Sequence, residues 1–128
     1  MEITVGLKGN AETLVEREDT AAAVCSGSLL VYATPCMVAL MEGAACNALE
    51  GVLGEDQTTV GIELNIAHTA ATPVGMEVRA EAEVTAVEGK IITFQITAFD
   101  EKGKIGEGTH KRAIVNTQKF LDKTYDKL

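Results

Sequence analysis

The sequence predicts an α+β fold in which one long buried helix is wrapped by a curved five-stranded antiparallel sheet. Two observations carry this expectation. From Ala33 to Gly51 the chain is rich in Ala, Leu and Met, with helix punctuation at both ends. From Val60 onward the apolar period changes from 3.6 residues to 2. A chain of 128 residues, 46% hydrophobic, has a globular composition and is long enough for one core but short for two. Residues 1–128 are therefore read as a single domain.

The elements follow in order. Asn10 to Arg17 reads as a first strand. Asp19-Thr20-Ala21-Ala22-Ala23 looks like a capped helical turn leading into the loop Cys25-Ser26-Gly27-Ser28. Thr34 is placed as the helix N-cap, Pro35 at the first helical position and Gly51 just past the end. Met37, Leu40, Met41, Ala44, Ala45, Ala48 and Leu49 make this helix apolar nearly all round, as expected of a helix buried by its own domain. Then Val60, Ile62, Leu64, Ile66 and His68 share one face of a strand, with Gly61, Glu63, Asn65 and Ala67 on the other. Met76 to Ala86 and Ile91 to Phe99 alternate in the same way, joined by a tight turn at Glu88-Gly89. Lys102-Gly103 marks the next turn, before a strand from about Ile105 to Asn116. The tail from Thr117, with Phe120, Leu121, Tyr125 and Leu128, reads as a short amphipathic helix capped by Thr117. A five-strand sheet of this kind leaves an open edge, which favours pairing with a second copy, so a homodimer is expected.

Composition narrows the function. No apolar run reaches the roughly 18 residues of a membrane-spanning helix. Met1-Glu2-Ile3-Thr4-Val5 has neither the basic region nor the apolar core of a signal peptide, so the cytoplasm is expected and no membrane partner. The net charge of −8 argues against nucleic acid, and a polyanionic ligand would need a local basic patch. Cys25, Cys36 and Cys46 are odd in number and lack CxxC spacing, so they read as buried thiols with no metal site.

Four residues are candidates for chemistry. His68 continues the apolar face of its strand, either as a satisfied core histidine or as a functional one. Glu42 lies mid-helix among Val38, Ala39, Leu40, Met41, Ala44 and Ala45. Either it sits on an exposed strip, or it is buried and needs a partner. Thr34 serves as a cap or borders a site where the helix N-terminus polarises a carbonyl. Its spacing of eight residues from Glu42 puts the two about 80° apart around the axis and about two turns apart along it. Arg112 is an exposed strand-edge arginine or an anion contact.

At these residues a resemblance appears. Ala33-Thr34-Pro35-Cys36-Met37-Val38-Ala39-Leu40-Met41-Glu42, then Gly61 to Pro73 around Glu63-Leu64-Asn65-Ile66-Ala67-His68, then Ile105 to Arg112, resemble the hotdog-fold thioesterases of the fluoroacetyl-CoA thioesterase group. The match runs from about residue 10 to 120. The resemblance implies a hotdog homodimer that hydrolyses a short or medium acyl-CoA, with Thr34, Glu42 and His68 catalytic. It places Gly61 near the thioester oxygen and Arg112 near the ligand, and Cys36 and Met37 beside the substrate. No cofactor is implied beyond coenzyme A, which is part of the substrate. Two rival functions stay open: a non-catalytic acyl-CoA binding protein, and a hotdog hydratase or dehydratase.

Overall fold

A computed structural model describes residues 2–128. The elements are β1 (Lys8–Leu14), a 3-10 turn (Arg17–Asp19), α1 (Thr34–Ala48), β2 (Gln57–His68), β3 (Glu77–Glu88), β4 (Ile91–Asp100), β5 (Lys104–Asn116) and α2 (Thr117–Tyr125). All five strands form one antiparallel sheet in the order β1-β3-β4-β5-β2. The two edges are therefore β1 and β2, and β2 leaves α1 directly onto one of them.

The core lies between α1 and the concave face of the sheet. Met37, Met41, Ala44, Ala45 and Ala48 of α1 meet Val78, Ala80, Ala82 and Val84 of β3 and Ile92, Phe94, Ile96 and Ala98 of β4. Those strand positions are the alternating sets expected from the sequence. Small residues on α1 let β1 come unusually close. A methyl group on Gly9 would collide with the backbone of Ala44 and Ala48, so β1 crosses the helix at its only side-chain-free position.

The helix is less uniformly buried than its composition suggests. Pro35, Ala39, Gly43 and Cys46 form an exposed stripe of small apolar residues along its outer side. Cys25 is also exposed and Cys36 half-buried, so the expectation of buried thiols fails: the loop and the open helix face carry them, not the core. β1 lies earlier than expected, because Val15 leaves the strand for the core. The turn after it is capped by Thr20, whose hydroxyl donates to the Arg17 carbonyl and accepts from the Ala23 amide. The cap of α2 is likewise one residue earlier than expected, since the Asn116 side chain accepts from the Lys119 amide.

The decisive irregularity is in β2. Gly61 pairs with Arg112 and Glu63 with Lys111, so Ile62 is an extra residue, a β-bulge. Direct cross-strand partners share a face. Gly61, Leu64, Ile66 and His68 therefore lie on the same side as Arg112, His110, Gly108 and Gly106. Strict alternation had put Gly61 opposite His68, and Val60 and Ile62 beside it. The bulge reverses the phase, turning Gly61 toward the helix and leaving Ile62 exposed.

Candidate active site

Two clusters hold the residues expected to act. The first stands where α1 begins. Ala33 is the N-cap, with extended backbone and no side-chain cap bond, and Thr34 is the first helical residue. Thr34 is thus not the cap. Its hydroxyl is free to reach the end of β2, where it lies 2.7 Å from His68 Nδ1. Pro35 removes one amide from the first turn, so the free amides there are those of Thr34 and Cys36.

The surrounding backbone is pinned. The Tyr32 amide donates to the Thr72 carbonyl, and the Ala33 amide to the Asp19 carbonyl. The fully buried Thr72 donates to Asp100, which also accepts from the amides of Lys102 and Gly103. Burial works against ionisation of Asp100, yet these bonds hold its carboxyl below the usual range. The segment after His68 is thereby fixed to the β4–β5 turn. A groove of about 280 Å³ opens beside the pair, lined by Ala21, Ser26, Tyr32, Thr34, His68 and Ala70 among others.

Burial lowers the pKa of His68, with the backbone of Ala70 pulling the other way. Its Nε2 is shielded and has no protein partner among the described residues. A neutral imidazole at this position can accept a hydrogen bond from Thr34 at Nδ1, and once it has taken up a proton it can pass one to a leaving group. Cys36, one turn into the helix, is half-buried, and burial raises its thiol pKa, with Asp19 adding to the rise. Met37 is fully buried and packs where a side chain on Gly106 would stand, which seats it in the core rather than at a ligand surface.

The second cluster lies two turns along α1. Glu42 is half-buried, and its Oε2 accepts from Arg112 Nη1 at 3.1 Å. Arg112 is only 6% exposed. Its Nε donates to Thr59 Oγ1 and its Nη2 to the Thr59 carbonyl. Glu42, its side chain 36% exposed, borders the open stripe of α1 and still has Arg112 as a partner. Arg112 is therefore not an exposed strand-edge side chain. Its head is committed to partners within the chain. Gly61 makes the cluster possible, because a Cβ there would lie 2.5 Å from Glu42 Oε2.

His110 is the residue the sequence reading passed over. It is fully buried, with Nδ1 2.8 Å from the Glu63 carbonyl and Nε2 3.1 Å from Arg112 Nη1. The available signal was its spacing of two from Arg112, which puts both on one face of β5.

The clusters do not meet within one chain. Thr34 and Glu42 are eight residues apart along α1, about 12 Å at helical rise. Gly61 and His68 are six rungs apart along β2 once the bulge is counted, about 20 Å at strand rise.

The fluoroacetyl-CoA-specific thioesterase family matches residues 15–118. The chain belongs to that family. The fluoroacetyl-CoA thioesterase of Streptantibioticus cattleyicolor is 39% identical over 97 residues, which are 76% of this chain and 70% of the relative. A solved structure of a fluoroacetyl-CoA thioesterase is 31% identical, with a TM-score of 0.94 over 100% of this chain and 99% of that one. A hot-dog-like protein from Thermanaerovibrio acidaminovorans, 23% identical, matches with a TM-score of 0.88 over 98% of this chain and 93% of its own, which speaks to the fold. In this thioesterase family member, five curved strands around one helix are the hotdog fold. Among the described residues no helix is long and apolar enough to cross a membrane.

Proposed function

We propose that this chain hydrolyses a short acyl-CoA at a site completed by a second copy of itself. Acyl-CoA thioester hydrolysis is the activity that family membership gives it. The observation that carries the finer reading is the 2.7 Å contact between Thr34 and His68, at a helix N-terminus and beside a groove of about 280 Å³. That volume lies just below the usual range of about 300–1,000 Å³ for ligand pockets, which favours a short acyl group.

The separation of the two clusters supports a homodimer. β2 is an edge strand with exposed Ile62 and Leu64, and α1 carries its own exposed stripe of small residues. Antiparallel pairing of two β2 strands about an axis at Asn65 sets Leu64 opposite Ile66. Because Gly61 and Ile62 share one rung at the bulge, it also sets Gly61 of one copy opposite His68 of the other. Glu42 of one copy then shares a site with Thr34 and His68 of the partner.

In that site the free first-turn amides and the helix dipole polarise the thioester carbonyl. Glu42 attacks the carbonyl carbon, or takes a proton from the water that does. The C–S bond breaks, and water, entering at once or in the second step, supplies the acid's second oxygen. Water also supplies the proton that the neutral His68 imidazole takes up and relays to the thiolate. Labelled acyl trapped on Glu42 identifies the first route. Single-turnover entry of water oxygen into product alone identifies the second.

Coenzyme A is an anion on a protein of net charge −8. The groove shares Ala70 and Ala71 with a neighbouring hollow of about 260 Å³ bordered by Lys102 and Lys104. These lysines are the local cations toward which the phosphates can run. A fluoroacetate- and CoA-bound structure is known for a variant of the fluoroacetyl-CoA thioesterase, and the same class of ligand is proposed here.

A panel of acyl-CoAs from acetyl to palmitoyl, read by released thiol with His68→Ala alongside, tests the reading. Turnover strongest at short chains and abolished by the substitution supports it. No turnover at any length would overturn it and leave a binding role.

A further inference from the structure

We propose that His110 is a positioning residue for thioester hydrolysis, acting through Arg112 to aim the Glu42 carboxylate. This rests on the reading that Glu42 acts on the thioester. His110 projects inward from β5, wholly buried and stacked on Phe94 with ring centroids 6.1 Å apart. A carbonyl oxygen only accepts, so the 2.8 Å contact with Glu63 requires the proton on His110 Nδ1. A guanidinium only donates, so the 3.1 Å contact with Arg112 requires a bare lone pair on Nε2. Both neighbours select the same neutral tautomer. Burial lowers the pKa of the ring and Arg112 adds to the fall, while the Glu63 carbonyl and Glu42 oppose it.

Arg112 Nη1 therefore spends its two hydrogens on His110 and Glu42, and its other nitrogens are tied to Thr59. Thr59 and Glu63 flank the bulge at Ile62. The pair His110–Arg112 thus clamps both sides of the bulge and leaves Glu42 one direction in which to point. Packing alone does not call for an imidazole. A phenylalanine would cover Phe94 equally well, whereas a buried ring nitrogen is costly unless both its atoms are used.

The substitutions His110→Gln, His110→Asn and His110→Phe separate the two bonds. The Gln amide oxygen reaches the place of Nε2 and still accepts from Arg112. The Asn amide nitrogen stands at the place of Nδ1 and serves Glu63 alone. On the best acyl-CoA of the panel, His110→Asn and His110→Phe are expected to lose about 10- to 100-fold in kcat with KM nearly unchanged, the scale of a misaimed catalytic group. His110→Gln is expected to keep most of kcat. If Asn matches Gln, or if kcat follows melting temperature across all three variants, the inference falls. Ring nitrogen NMR of the wild type is a check free of turnover: protonated Nδ1 and bare Nε2 are expected, and the reverse tautomer overturns the inference. A wild type that hydrolyses no acyl-CoA sinks the functional reading and this inference with it. An active wild type with equivalent Asn and Gln variants sinks the inference alone.

Discussion

Thr34 Oγ1 and His68 Nδ1 meet at 2.7 Å although 34 residues and a change of secondary structure separate them. The contact ties the first residue of α1 to the last residue of β2. It needs a hydroxyl that the helix does not use for its own cap. Thr34→Val keeps the shape and removes that bond, so kcat is expected to fall about 10²-fold or more, within the range for lost general acid–base partnership. Thr34→Ser is expected to retain most of it. Steady-state kinetics on the same acyl-CoA distinguish them, and equal losses in both would dissociate the hydroxyl from the chemistry.

The lowered pKa of His68 and that of His110 have a common consequence. A base whose folded pKa lies below its ordinary 6.5 binds fewer protons folded than unfolded. Stability is therefore full above that ordinary value and declines as pH falls from it toward the depressed folded values. The acid limb of kcat/KM is likewise expected below 6.5, since the free enzyme keeps His68 neutral down to there. A limb centred above 6.5 would contradict the burial of the ring.

Gly61→Ala should disable the enzyme more than it unfolds it. The new methyl would lie 2.5 Å from Glu42 Oε2 and 3.2 Å from His110 Cε1, and the carboxylate is the part that can swing away. Activity is expected to drop at least about 10²-fold for a stability cost of about 1–3 kcal/mol. Thermal melts alongside kinetics check this. A variant with unaltered kcat would show that Glu42 need not stand where it does.

Mixing two inactive variants tests the shared site. Glu42→Gln and His68→Ala chains, denatured together and refolded, form mixed dimers with one intact site each. Random assortment is expected to restore about a quarter of wild-type activity from a two-fold dimer. No recovery would place all three groups in one chain's site.

For the fold itself, Gly9→Ala is the severest small change expected. The Cβ would strike the backbone of α1 at Ala44 and Ala48, which no rotamer change relieves. A loss of about 3 kcal/mol or more is expected from such overpacking. Chemical denaturation measures it.

The sequence made α1, β3 as far as Val84, β4 and the His68 neighbourhood legible because each obeys a single period there. Past Val84 a second bulge, at Thr85, shifts the phase of β3. Val78 to Val84 and Ile92 to Ala98 alternate cleanly, and they are the core faces. β2 was misread at Gly61 for a physical reason. A bulge shifts the phase without leaving a mark that hydrophobic alternation can register, since Val60 and Ile62 look as apolar as Leu64 and Ile66. Arg112 and His110 were harder still. A buried arginine is disclosed only by its partners, and Glu42 and Thr59 lie 70 and 53 residues away. The homodimer was expected from the open edge and from the resemblance; the exposed stripe of Pro35, Ala39, Gly43 and Cys46 is a further apolar surface that emerges only with the strands in place.

Ile62 gives β2 one residue more than β5 across the same stretch of ladder. A ribbon longer than its neighbour must bow, so that surplus residue acts as a spacer holding β2 away from a straight course. Deleting Ile62 would restore plain alternation and still leave Gly61, Leu64, Ile66 and His68 facing inward. Every side chain would keep its side, yet the strand would draw straight and narrow the room in which Glu42 stands. The course of β2 beside Gly61 is thus gauged by a count of residues, and the surplus one is an exposed isoleucine.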